Sequence, residues 1–178
     1  MFSIQKSLIP HESLLSAYET NGAYADAYST EVVSQISLPK YVFVFYTTLL
    51  FKLERFILAM TISRPSTDSL ARQLADGGTD KFAAWTVEGR HENEILLCGI
   101  SGRTRSWLMV VPSGDGETPR TRLYFGSAVV PLRNPKTEKQ SLGLIFQSLL
   151  KFHQIYSVLL LYSARLRIMH ASRTADAN

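Results

Sequence analysis

Arg103, Arg105, Trp107, Met109 and Val111 occupy every second position of the stretch GRTRSWLMVV. Alternate residues of a β-strand share one face. Along that face the side chains grade from cationic, through amphipathic aromatic, to fully apolar. Two neighbouring stretches repeat the grading: Lys81, Ala83, Trp85 and Val87 share one parity, and Arg122, Tyr124, Gly126, Ala128 and Val130 share another. Faces of this kind, set side by side in one sheet, make an oily floor with basic groups at its lip. A planar guanidinium grips carboxylate or phosphate in paired bonds, so the wall suits a molecule with an apolar body and an acidic head. Small residues at 83, 126 and 128 leave it room. The candidate ligand-binding residues are Arg103, Arg105, Trp107, Met109, Trp85, Arg122 and Tyr124. A blander reading stands beside this one. Arginines at a strand's start usually stand in water, tryptophan with methionine is ordinary core, and Gly126 can mark a bulge.

Signatures of catalysis are missing. The chain holds no G-x-S-x-G, H-E-x-x-H or C-x-x-C, and no phosphate-cradling G-x-x-x-x-G-K. His11, His91, His153 and His170 are scattered without ligand spacing, so no metal and no cofactor is expected. His153 lies beside an apolar helix stripe and reads as a satisfied, partly buried side chain. Glu88 and Glu94 flank a turn, where paired carboxylates are usually solvated. An enzyme would have only Glu54, Glu88, Tyr124 and His153 to work with, and the balance falls against one.

The elements that position these residues follow from periodicity. Residues 1–22 read as an N-terminal extension with a short helix around Glu12 to Tyr18. AYADAYSTEVV (23–33) reads as a strand. Ser37 and Pro39 open a helix through residues 38–62, whose Val42, Tyr46, Leu49, Leu53, Phe56 and Met60 form one stripe, until Pro65 breaks it. Ser66 or Thr67 caps a shorter helix carrying Leu70 and Leu74, which Gly77-Gly78 ends. The period then changes to two. Residues 81–90, 94–100, 105–111 and 120–130 read as four strands with short connections, hence an antiparallel meander. A last helix over about 137–169 shows Leu142, Ile145, Leu149, Phe152, Tyr156, Leu159, Ser163 and Leu166 at steps of three and four, with a polar tail over 170–178. Leu108 and Val110, on the second parity of strand 105–111, are apolar too. Something must cover that face: the 38–62 helix or a twin subunit.

Composition sets the class. The chain has 178 residues, 46% hydrophobic and 19% charged, enough for one domain with a real core. The single cysteine, Cys98, fits a reducing compartment, and no secretory signal or membrane span is read, so a soluble, cytoplasmic protein is expected. Nine basic residues between Arg120 and Arg173 face Glu138 alone. Such a basic third can meet anionic lipid or an acidic ligand, or simply keep a helix in water.

The order strand, two helices, meander and long terminal helix (βααββββα, about five strands) resembles the helix-grip fold of the START and SRPBCC-type superfamily over residues 23–169. The text FAAWTVEGR…LLCGISGRTRSWLMVV…TRLYFGSAVVP, over 82–131, is similar to a bacterial family of uncharacterised proteins near that superfamily. The resemblance implies an α+β, helix-grip-like domain whose curved antiparallel sheet packs on the long C-terminal helix around an apolar cavity. It brings no catalytic motif, and five strands fall short of the usual seven, leaving a shallower cavity or a partner chain to complete the sheet.

The function expected is therefore binding of a small apolar or amphipathic, acidic-headed ligand such as a lipid. Two alternatives remain. One is a protein-interaction or membrane-surface role for the basic C-terminal helix; the other is a cyclase or hydrolase in the same cavity. Nucleic acid is not expected, since the arginines and aromatics match no known spacing. The overlong last helix and the doubly apolar strand make a homodimer plausible.

Overall fold

The computed structural model describes residues 4–20, 23–52, 66–114, 118–133, 140–141 and 144–175. Its sheet strands are β1 (Gln5–Ser7), β2 (Tyr24–Val32), β3 (Lys81–Phe82), β4 (Trp85–Arg90), β5 (Glu94–Gly99), β6 (Thr104–Pro112) and β7 (Thr121–Val129). They form one antiparallel sheet in the order β1-β2-β7-β6-β5-β4-β3. A separate pair joins β8 (Leu132–Arg133) to β9 (Gln140–Ser141). The helices are α1 (Ser16–Thr20), α2 (Leu38–Tyr46), α3 (Asp68–Ala75) and α4 (Leu144–Ala175).

The sheet thus has seven strands where about five were expected. Two differences account for this. Gln5–Ser7 is too short and too polar to show a strand period, and it is defined by its pairing with β2. The stretch 81–90 is a hairpin rather than a single strand. Ala83, at φ +51°, turns the chain back so that Phe82 faces Trp85. Alanine seldom takes that left-handed conformation, so the alternating text concealed the turn.

Long register between β6 and β7 sets the two faces of the sheet. Arg105 lies opposite Ala128, Trp107 opposite Gly126, Met109 opposite Tyr124 and Val111 opposite Arg122. The other face carries Ser106, Leu108 and Val110 with Leu123, Phe125 and Ser127. We call the latter the inner face, because α2 and α4 pack on it. Leu108, Val110, Leu123 and Phe125 there join Tyr41, Phe45 and Tyr46 of α2 and Leu160, Leu161, Ala164 and Ile168 of α4 in one core. Helix α2 supplies the cover that the doubly apolar strand demanded. Its nearly all-round apolar text matches the burial of Leu38, Tyr41, Val42, Val44, Phe45 and Tyr46.

Caps behave as their residue types dictate. Ser37 caps α2 and Thr67 caps α3, the latter accepting the Leu70 N–H at 3.2 Å. Gly77, at φ +78°, follows the end of α3. The helix expected over 38–62 does not run on unbroken: α2 ends at Tyr46 with Thr47 as its C-cap, and Leu49 of the expected stripe is exposed. Leu53, Phe56, Met60 and the break at Pro65 lie outside the described residues.

Helix α4 is rotated relative to the stripe read from the text. Over residues 153–172 its buried residues are Ser157, Leu160, Leu161, Ala164 and Ile168, whereas Leu159 and Leu166 are nearly half exposed. The helix is apolar on more than one side, so spacing alone does not select the packed face. It also runs through His170 to Ala175 instead of fraying near 169. Among the described residues no helix is long and apolar enough to cross a membrane.

Candidate functional site

Between the inner face, α2 and α4 lies a pocket of about 210 Å³. Phe45, Phe51, Phe125 and Leu160 give it apolar walls, and Trp85 closes one side. Trp85 reaches this face because the turn at Ala83 and its pairing with Gly99 set its parity. Ser106, Ser127, His153 and Ser157 supply polar groups to the lining.

Two of these groups, Ser127 and His153, are tied to a buried carboxylate. Asp26 points inward from β2 and is 3% exposed. Its Oδ2 accepts the hydroxyls of Tyr24 at 3.0 Å and Tyr28 at 3.4 Å, and its Oδ1 accepts the Ser127 hydroxyl at 2.7 Å. His153 Nε2 stands 2.7 Å from the same Ser127 oxygen and 4.0 Å from Asp26 Oδ1. Gln154 donates to the Tyr24 oxygen at 3.1 Å. Burial, reinforced by the Asp26 charge, pushes the Tyr28 hydroxyl up to about 12 and raises that of Tyr24 as well. Both phenols therefore hold their protons and donate them to the carboxylate.

Proton counting sets the direction of this chain. A serine hydroxyl has one hydrogen, and an acceptor-only carboxylate takes it. Ser127 must then accept from His153, so Nε2 carries the ring hydrogen. In a Ser-His-Asp triad the histidine lies between the other two and withdraws the serine proton. Here the serine is in the middle and is not activated as a nucleophile.

The outer face is where most of the sequence-derived candidates gather. Arg105, Trp107, Met109, Arg122 and Tyr124 share it, as alternation implies. The cover on that face is the N-terminal segment, not the long helix. Ile9 and Leu15 pack with Leu96, Trp107, Tyr124 and Ala128 in a second core. The room expected at Gly126 is taken: a Cβ there would meet Leu15 Cδ2 at 2.6 Å and Trp107 Cε3 at 2.8 Å.

Polar ties hold the segment down. Glu94, expected to be solvated, is buried, and its Oε2 accepts both the Leu14 N–H at 3.0 Å and the Trp107 indole at 2.6 Å. His91 Nδ1 stands 2.9 Å from its Oε1. The Tyr18 hydroxyl donates to Glu88, and Arg105 Nε donates to Tyr18 at 2.9 Å while pairing with Glu88 at the same distance. Arg105 thus borders the pocket, yet its guanidinium is engaged on the opposite side of the sheet. Arg122 pairs with Glu31 at 2.7 Å. Arg103 Nε is buried without a partner among the described residues. Of the seven candidates, Trp85 alone presents its side chain to the inner pocket.

Ser127 and Asp26 were missed from the text, though a signal existed. Asp26 is a carboxylate at the parity of Tyr24 and Tyr28 in the strand YADAYSTEV. Cys98 is half-buried, and burial pushes its thiol up, away from the thiolate a nucleophile needs. A second, more open pocket of about 550 Å³ is lined by Lys52, Arg167 and His170, but Lys52 pairs with Asp68 at 2.6 Å and Arg167 binds Thr47 at 2.6 Å. No group of three His, Cys, Asp or Glu among the described residues could hold a metal ion. No family model, curated protein or solved structure matches the chain.

Proposed function

We propose that the protein binds a small apolar molecule, about one ring in size, in the pocket between the inner sheet face and α4. The volume of about 210 Å³ carries the reading. A dry cavity of roughly 150 Å³ holds benzene, while drug-sized sites begin near 300 Å³, so one ring with a substituent fits better than an acyl chain. The arrangement of sheet and helices, which we read as helix-grip-like, supports it. Strand β2 lies beside β7, the last strand of the seven-stranded sheet, α2 and α3 fall between β2 and β3, and α4 packs on the inner face.

Thermal unfolding with indole and toluene tests the proposal. Either compound, well above its Kd, should raise Tm of the native protein by several degrees. Ser157→Leu, which fills the pocket at the cost of one back-bond to the His153 carbonyl at 2.9 Å, should abolish the shift. No shift in the native protein, or an equal shift in the variant, overturns the reading.

Self-association is a second reading, carried by one observation. Ile155, Leu159, Tyr162 and Leu166 lie exposed on α4 at steps of four, three and four, the spacing of a helix–helix seam. Sedimentation should give a dimer that Leu159→Glu converts to monomer; a monomeric native protein removes the reading.

A further inference from the structure

We propose that the polar part of the pocket lining recognises a weakly acidic hydroxyl, a phenol or enol, as a hydrogen-bond donor to His153. The proposal rests on the ligand-binding reading above and adds the chemical class of the ligand. It begins from the proton count. With Nε2 committed as a donor to Ser127, a neutral ring leaves Nδ1 as a bare lone pair. Nδ1 has no partner among the described residues, and the side chain lines the pocket while 30% exposed.

Three serine hydroxyls on the lining already have bonds. Ser127 serves Asp26, Ser106 and Tyr46 bond each other at 3.1 Å, and Ser157 donates to its own helix. Nδ1, which makes no bond among the described residues, is then the ring acceptor open to a ligand donor.

Asp26 decides what kind of donor that is. Its carboxylate is buried among three hydroxyls, and no Lys or Arg pairs with it among the described residues. Tyr24 and Tyr28 face it from β2 as neutral donors, and the Arg105 guanidinium is held on the other face. Through Ser127 the carboxylate holds Nε2–H as a donor and leaves Nδ1 as the acceptor edge of the ring, as a carboxylate does behind a ligating histidine. A hydroxyl that shares its proton with Nδ1 exploits this. If the proton crosses, the ligand's O–H bond breaks, an Nδ1–H bond forms, and the imidazolium lies against Asp26 with Nε2–H still on Ser127. A carboxylate ligand is disfavoured twice, by desolvation among phenylalanines and by the standing charge of Asp26.

The experiment compares 4-nitrophenol, nitrobenzene and 4-nitrobenzoate by calorimetry, with the visible absorbance of the nitrophenol as a second readout. The native protein should bind 4-nitrophenol at least tenfold tighter than nitrobenzene, with the nitrophenol band moved toward that of its anion. His153→Leu should remove the preference and the band shift while still binding nitrobenzene. Asp26→Asn, which preserves shape and most bonds, should weaken both effects and guards against a folding defect in the first variant. Equal affinity for nitrophenol and nitrobenzene in the native protein overturns this inference and leaves the pocket reading intact. Tightest binding of 4-nitrobenzoate overturns it in favour of an anion site. Failure of all three to bind overturns the pocket reading and this inference with it.

Discussion

Trp107 donates its indole hydrogen to Glu94 Oε2 across 2.6 Å, and both residues are buried beneath the N-terminal segment. The Leu14 backbone N–H converges on the same oxygen. One carboxylate thus joins two strands of the sheet to the chain that covers them, and the outer face becomes a second core.

Removing that acceptor leaves two donors without a partner in a dry interior. Glu94→Ala should destabilise the protein by about 2–4 kcal/mol, since each bare group costs about 1–3 kcal/mol. Glu94→Gln keeps one carbonyl oxygen and should lose less. Urea unfolding of both variants reads the difference. A loss below about 1 kcal/mol for Glu94→Ala would show that the bonds do not hold the segment.

Gly126 is small because Leu15 and the Asp26 carbonyl crowd it, at 2.6 and 2.9 Å from where a Cβ would stand. Gly126→Ala should cost about 1–3 kcal/mol through overpacking. Leu15→Ala relieves one contact but leaves those with Trp107 Cε3, at 2.8 Å, and with the backbone. The double variant should therefore be more stable than the sum of the single losses implies, by about 0.5 kcal/mol or more. Strict additivity in denaturant titrations would count against the contact.

Arg105 holds Tyr18 and Glu88 on the outer face. Arg105→Gln should speed proteolytic cleavage within residues 4–20 severalfold, while indole binding stays within about twofold of native, because the pocket lies across the sheet. A large loss of binding with unchanged proteolysis would place the guanidinium at the ligand instead.

Tyr28 sets an alkaline limit. Burial first, then the Asp26 charge, raises its hydroxyl from an ordinary 10.0 to about 12. Below pH 10 folded and unfolded chains both hold the proton, and the contribution to stability is fully present. As pH rises from 10 toward 12 the unfolded chain ionises first and the contribution is lost. Ultraviolet titration should show late-ionising tyrosines, and Asp26→Asn should move the late phase to lower pH. A titration unchanged by Asp26→Asn would mean that the carboxylate does not act on Tyr28.

Strands and their faces were legible because alternation is a local property. The period of two in residues 105–111 and 120–130 placed Arg105, Trp107 and Met109 on one side of β6 and Arg122 and Tyr124 on one side of β7, and the register set them opposite one another. The caps at Ser37 and Thr67 were legible for the same reason, since a cap is made within four residues. What lay above each face was not local. Both parities of β6 are apolar, so the text could not say that residues 4–20 cover Trp107 while α2 and α4 cover Leu108. Nor could it say which side of α4 turns inward, or that Ala83 reverses the chain and brings Trp85 to the pocket. Asp26, Ser127 and His153 are separated by 101 and 26 residues along the chain and meet only when β2 pairs with β7 and α4 folds across them. Local periodicity determined the elements; long-range packing decided where the chemistry converges.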